Sequence, residues 1–172
     1  MPPVDQSEVR IELPIDAYVP EEWVASERLR LEVYTKISAS RTAADREAVR
    51  AELADRYGEI PQQVERLLRL AALREQVAAV GVEEVTAAGR FVRFAPVELP
   101  DSRQVRLRRL YPRAVTKAAI RAVLVPLPEE ASGTGIKLGG ATGRGGSPVT
   151  NDAALDFVEQ FIRAILAAPA AA

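Results

Sequence analysis

The chain has 172 residues, of which 48% are hydrophobic and 27% charged, and its 23 basic and 24 acidic side chains give a formal net charge of -1. It contains no histidine and no cysteine, which excludes Ser-His-Asp and Cys-His nucleophiles, zinc fingers and thiol redox chemistry. Disulfides are excluded as well, so the composition suits a reducing cytoplasm and a core held together by packing alone.

The beginning of the chain shows a change from irregular to periodic sequence. Residues 1–8 have no apolar periodicity and are predicted to be a linker. In the next segment, VRIEL (9–13), apolar and charged residues alternate, which predicts a strand with one buried face. We expect residues 9–167 to form a single α+β domain and residues 168–172 to be a disordered tail. No window approaches the roughly 18 apolar residues of a membrane span.

Three consecutive helices are predicted after this strand. Apolar residues spaced three and four apart indicate the first helix within residues 26–40. Thr42 and Asp45 resemble a capping box at the start of the second helix, and Gly58 provides its C-terminal stop. Pro61 suits the first turn of a third helix that ends at Gly81. The short connections favour helices that pack side by side.

The pattern after Gly81 changes to short strands separated by turn residues and single helices. With the preceding helices, it predicts an α+β fold in which an N-terminal helical block packs with a small mixed or antiparallel sheet and a C-terminal helix. The elements predicted for this half are a hairpin of strands 82–86 and 91–95, a helix over 100–111, a strand over 120–125 and a last helix capped by Asn151 or Asp152.

A Gly-rich loop is predicted over residues 131–149, where seven of the ten glycines lie between Gly133 and Gly146. Backbone N–H groups in such a loop can bind phosphate. However, the residues follow neither GxxxxGK[ST] nor GxGxxG. We interpret the loop as a connector and predict no cofactor.

Neighbouring carboxylates occur at Glu21/Glu22, Glu83/Glu84 and Glu129/Glu130. Sequence neighbours on a helix or strand do not face a common point, so these pairs make poor acid–base or metal sites. Without histidine or cysteine, only a magnesium or calcium site with oxygen ligands remains conceivable, and no EF-hand spacing is present. We therefore predict no catalytic residue, no metal site and no enzymatic activity for this chain.

Charge is distributed unevenly along the sequence. Residues 1–60 contain 13 acidic and 8 basic side chains, whereas residues 100–128 contain one acidic and seven basic side chains. One hypothesis is that the basic stretch Arg103–Arg121 binds nucleic acid through its phosphates, with Tyr111 available for stacking. The alternative is an ordinary solvated face. The candidate nucleic-acid contacts are Arg103, Arg106, Arg109 and Arg113.

Three stretches carry a resemblance to a known family: LPIDAYVPEEWVASERLRLEVYTKIS, AELADRYGEIPQQVERLL and LAALREQVAAVGV. In order and spacing they resemble the C-terminal domain of bacterial transcription-repair coupling factors. The resemblance covers the run from Ile11 to Gly81. It implies that this chain is a non-catalytic regulatory domain belonging to a much longer DNA translocase, whose motor lies in other domains.

The resemblance also implies a partner and a surface. In the family, this domain packs on an N-terminal module similar to UvrB, masks the UvrA-binding surface of that module and restrains the motor. UvrA, RNA polymerase and DNA are then indirect partners through the parent protein, and no membrane is involved. The implied partner contacts are acidic residues of the E-L-x-D stretch, here Glu52 and Asp55, with Leu53, Arg56 and Tyr57 as neighbours.

Overall fold

The computed structural model describes residues 1–128 and 148–167. Within these ranges it contains five α-helices and a five-stranded mixed sheet, which confirms the predicted α+β class. The chain divides into two compact units: a helical unit, Asp16–Glu75, and a sheet unit, Met1–Ile15 together with the chain from Gln76 onward. Most of the predicted Gly-rich loop, the pair Glu129/Glu130 and the predicted tail lie outside the described residues.

The helices predicted in the first half are present, and their caps explain their bounds. The Ser26 side chain accepts a hydrogen bond from the Leu29 N–H at the start of the first helix. Thr42 and Asp45 form the predicted capping box on the second helix, which ends at Gly58 with φ of +83°. The three helices are α1 (Glu27–Ala39), α2 (Ala43–Tyr57) and α3 (Gln62–Ala79).

The core of the helical unit is built from the apolar faces of these helices and from the extended segment that precedes α1. Trp23 and Tyr57 pack against this core from its edge. Arg66 is only 4% exposed, and its guanidinium donates a hydrogen bond to the Asp16 carbonyl over 3.1 Å. The buried residues of the cluster are Val19, Val24, Val33, Ile37, Leu53, Val64, Leu68 and Ala71.

The sheet unit contains a mixed five-stranded sheet in the order β1-β2-β3-β5-β4. β1 pairs with β2 in parallel, and the other neighbouring strands are antiparallel. The predicted hairpin is confirmed as β2 and β3, turning at Gly89 with φ of +62°. The strands are β1 (Arg10–Glu12), β2 (Glu84–Ala88), β3 (Phe91–Ala95), β4 (Val115–Lys117) and β5 (Ala122–Pro126).

Two helices accompany the sheet, α4 (Asp101–Leu110) and α5 (Pro148–Phe161), and a π-type turn at Ile162–Leu166 extends α5. The Phe94 ring on β3 stacks on the Phe161 ring with their centroids 4.4 Å apart.

The predicted start of the last helix is wrong by one turn. Asn151 and Asp152 lie inside α5, because Pro148 occupies its first position, where a missing N–H costs no helical hydrogen bond.

Candidate partner-binding surface

The last two turns of α2 carry all five residues implied as partner contacts. The capping box fixes the beginning of this helix and Gly58 fixes its end, so the rotational phase of residues 52–57 is set locally. Glu52, Asp55 and Arg56 are exposed. The structure therefore brings these three charged side chains to one surface.

Glu52 already has basic partners within the helical unit. Its carboxylate accepts a hydrogen bond from the ammonium of Lys36 on α1 and lies 3.7 Å from the Arg56 guanidinium. Glu32 on α1 lies 3.6 Å from Lys36 and 3.4 Å from Arg56. These four residues, which we call the α1–α2 charge cluster, alternate in sign across the two helices.

The same contacts shift the protonation of the pair at its centre. The ammonium of Lys36, by donating a hydrogen bond, holds the pKa of Glu52 below its ordinary value. The carboxylate of Glu52 in turn raises the pKa of Lys36. Both groups are therefore charged over the whole neutral range, and Glu52 presents its negative charge within a neutralised cluster.

Asp55 differs from Glu52 although it is only three residues further along α2. It is exposed, and its carboxylate has no hydrogen bond or ion pair to any residue that the structure describes. An exposed carboxylate without a basic neighbour loses no internal contact when a partner's arginine approaches. Asp55 is therefore the acid on this surface with its full bonding capacity available.

Tyr57 forms the apolar border of the surface. Its ring packs edge-on against the Trp23 ring with centroids 5.3 Å apart, and the Arg56 guanidinium lies 5.1 Å from its centroid. Among the described residues, neither the Tyr57 hydroxyl nor the Trp23 indole nitrogen has a hydrogen-bond partner, and both atoms are buried. The Tyr57 ring thus packs against Arg56, one member of the charge cluster.

Leu53 lies on the buried side of α2. Its side chain has no exposed area and belongs to the core of the helical unit. A buried core residue cannot contact a partner directly, so we leave Leu53 out of the proposed surface. Its effect on binding would pass through the position of α2.

The basic stretch is divided by the structure into bonded and unbonded residues. Arg103 donates a hydrogen bond to the Leu166 carbonyl over 2.9 Å, and Arg121 forms an ion pair with Glu98 at 2.8 Å. The remaining cations are exposed and have no counterion among the described residues. They are Arg106, Arg108, Arg109, Arg113 and Lys117.

Tyr111, the residue considered for base stacking, is occupied within the sheet unit. Its ring packs edge-on against Phe157 and Phe161 at centroid distances of 6.0 and 5.1 Å. Burial raises the pKa of its hydroxyl. The Tyr111 ring therefore packs within the sheet unit and is not free to stack on a nucleic-acid base.

The α1 half of the charge cluster was not predicted from the sequence. Glu32 and Lys36 are four residues apart on a helix, a spacing that also occurs on ordinary solvated faces. The short connection between α1 and α2 is the sequence feature that could have predicted this contact, because it places the two helices side by side.

Other site types have no support in the described parts of the chain. Within them, no three acidic side chains are placed so that they could hold a metal ion. Glu84, from one of the neighbouring pairs noted above, bonds to Arg93 on the adjacent strand. None of the helices in these ranges is sufficiently long and apolar to span a membrane.

Comparisons with known proteins point to one family. A family model described as the TRCF domain matches residues 13–106. The transcription-repair-coupling factor of Mycobacterium tuberculosis is 45% identical over 125 residues, which is 72% of this chain and 10% of the relative. That of Staphylococcus epidermidis is 33% identical over 90 residues, 52% of this chain and 8% of the relative. This chain thus spans about a tenth of the length of these curated relatives.

A solved structure shares the fold. The crystal structure of the C-terminal domain of a transcription-repair coupling factor superposes with a TM-score of 0.54 at 18% sequence identity, over 88% of this chain and 94% of that one. At this identity the likeness concerns the fold alone. The superposed region extends beyond the helical unit, because 88% of this chain is more than the 60 residues of that unit.

Proposed function

This chain belongs to the TRCF domain family, and from that premise we propose that it is a non-catalytic regulatory domain of a transcription-repair coupling factor. In this proposal it packs on the UvrB-like N-terminal module of its parent protein and masks the UvrA-binding surface of that module. It thereby restrains the DNA translocase until the parent engages stalled RNA polymerase during transcription-coupled nucleotide excision repair in the cytoplasm.

The observation that carries the proposal is the exposed acidic edge of α2. Asp55 has no partner among the described residues, and Glu52 lies one helical turn away on the same side of the helix. Two carboxylates at this spacing suit arginine side chains on a facing surface.

A mask of this kind has to be releasable. The masked state can be favoured by only a few kcal/mol if UvrA or polymerase is to shift the equilibrium. An interface built on exposed charges meets this requirement, because such pairs give orientation and fast association more than affinity. The α1–α2 charge cluster supports the same role, since it holds the surrounding charges in fixed positions without burying them.

The direct test is a competition experiment. The chain is titrated by calorimetry into the isolated UvrB-like module of the parent protein, and UvrA is then added to the complex. We expect one-to-one binding and displacement of this chain by UvrA. Simultaneous binding of UvrA and this chain to the module would contradict masking, and failure of the chain to bind would contradict the interaction itself.

A second candidate function is nucleic-acid binding by the basic stretch Arg103–Arg121, favoured by the exposure of Arg106, Arg109 and Arg113. It predicts salt-sensitive binding of duplex or single-stranded DNA, tighter than the about 10⁻⁶ M that marks non-specific binding. Fluorescence anisotropy with labelled DNA measures this directly. The Tyr111 ring packs against Phe161, so this hypothesis loses the residue considered for base stacking.

A further inference from the structure

Exposed apolar side chains are concentrated beside the unpaired cations of the sheet unit. Seven large hydrophobic residues of the described chain are exposed, and four of them fall within residues 105–120. Val105 is 63% exposed and Ile120 is 55% exposed. The four residues are Val105, Leu110, Val115 and Ile120.

Local geometry brings several of these residues together. On α4, Val105 and Arg109 are four residues apart, as are Arg106 and Leu110, so each pair lies on neighbouring turns. After α4 the chain reverses in a turn closed by the Ala114 N–H, which donates to the Tyr111 carbonyl over 3.0 Å. This turn places the start of β4 next to the end of α4.

β4 completes the surface as an edge strand. Among the described strands it pairs with β5 alone, and all three of its residues are exposed. Val115 and Lys117 are two residues apart on this strand, so their side chains point to the same face. We call the exposed side of α4, the turn that follows it and β4 the basic–apolar surface.

We propose that the basic–apolar surface is a docking site for an acidic polypeptide segment that carries aliphatic side chains. Five cations on this surface have no counterions among the described residues, so a partner with acidic side chains is complementary in charge. The exposed aliphatic groups contribute binding free energy only when they meet other apolar groups, so the partner also carries aliphatic side chains. The inference is independent of the function proposed for α2.

Two other occupants fit the same observations less well. Nucleic acid is held by phosphate contacts and by stacking on aromatic rings, whereas the apolar groups here are aliphatic and Tyr111 packs against Phe161. A second copy of this chain offers fewer unpaired acids than its composition suggests, because five acids of the helical unit bond to its own cations. These internally bonded acids are Glu32, Glu47, Glu52, Glu65 and Glu75.

The test uses the full chain and labelled probes. Anisotropy is measured with a short peptide in which Glu and Asp alternate with Leu and Val, with the same peptide carrying Lys in place of the acids, and with duplex DNA. We expect the acidic peptide to bind best, with an affinity that falls as salt rises. The double variant Arg106→Glu/Arg109→Glu weakens this binding by about tenfold, because it places like charges opposite the peptide.

A second pair of variants separates the apolar contribution from charge. Val105→Ser with Leu110→Ser weakens peptide binding by about fivefold, since apolar area is lost, but leaves DNA binding unchanged. Matched controls in other parts of the chain are Leu31→Ser, which alters a side chain 60% exposed on α1, and Arg28→Glu with Arg90→Glu, which reverses two other exposed cations. The controls leave peptide binding unchanged, and the melting temperature reports folding for each variant.

Several results would overturn the proposal. No binding of the acidic peptide, or an equal loss in the Arg28→Glu/Arg90→Glu control, would remove the docking site. Tighter binding of duplex DNA than of the peptide, unaffected by the serine variants, would assign the surface to nucleic acid. Concentration-dependent dimerisation abolished by Arg106→Glu/Arg109→Glu would show that the occupant is a second copy.

Discussion

At the scale of single residues, Glu52 and Asp55 share one side of α2 but differ in their bonding, since Glu52 bonds to Lys36 and Asp55 has no bond to the described residues. Their spacing on one helix face follows from the sequence, because the capping box and Gly58 define α2. The bonding around Glu52 does not follow from the sequence, because it depends on Lys36 and Glu32 from another helix. Leu53 shows the same limit: its neighbours in sequence are exposed, yet the packing of the helical unit buries it completely.

The difference between the two acids predicts different effects on stability. Glu52→Gln removes the charge that pairs with Lys36 and Arg56 and should lower the melting temperature near neutral pH. Asp55→Asn removes a carboxylate that has no bond to the described residues and should leave it unchanged. Thermal melts of both variants by circular dichroism provide the measurement, with Asp55→Asn as the matched control.

The same pair predicts a pH dependence with a definite sign. Because the folded-state pKa of Glu52 is lowered, its stabilising contribution is present above the ordinary glutamate value of about 4.3 and is lost as the pH falls through the folded-state pKa. Because the pKa of Lys36 is raised, the contribution is also lost at high pH, above that pKa. The difference in melting temperature between the native chain and Glu52→Gln should therefore shrink in acid; a constant difference would contradict the pair.

At the scale of elements, local signals predicted most of the helices, and the errors occurred where tertiary context decides. The start of α2 was predicted from its capping box, and the extent of α1 was predicted from its apolar spacing. β4 was missed because an edge strand exposed on both faces carries no alternating apolar pattern. The strand predicted at 120–125 begins two residues later, because Arg121 adopts a left-handed conformation with φ of +51°.

The capping box provides a prediction for α2. Thr42→Ala removes the side-chain oxygen that accepts from the Asp45 N–H and should destabilise the chain by about 1 kcal/mol. Chemical denaturation measures the free energy of unfolding. Thr35→Ala is the matched control, because Thr35 lies in the interior of α1 and bonds only to the Leu31 carbonyl within its own helix. An equal loss in both variants would show that the effect is not capping.

At the scale of the whole molecule, the net charge of -1 conceals two different distributions of charge. In the helical unit, cations such as Arg46 and Arg50 pair with acids of the same unit. In the sheet unit, the cations between residues 106 and 117 have no counterions among the described residues. The sequence showed the imbalance along the chain, but not which charges are satisfied internally, because pairing depends on tertiary contacts.

This distribution gives the two units different proposed roles. The helical unit offers an acidic edge that includes Asp55, beside the neutralised α1–α2 charge cluster. The sheet unit offers unpaired cations beside exposed aliphatic groups. Charge reversals on one surface should therefore leave the partner of the other unaffected, so the two proposals can fail separately.

Calorimetric titration of the chain carrying Glu52→Arg and Asp55→Arg into the UvrB-like module of its parent protein tests whether the acidic edge of α2 binds that module. We expect an affinity reduced by about tenfold or more, because two like charges then face the arginines of the partner. Arg106→Glu with Arg109→Glu serves as the control and should bind as the native chain does. An unchanged affinity of the α2 variant, with its folding intact, would contradict the assignment of this acidic edge as the partner-binding surface.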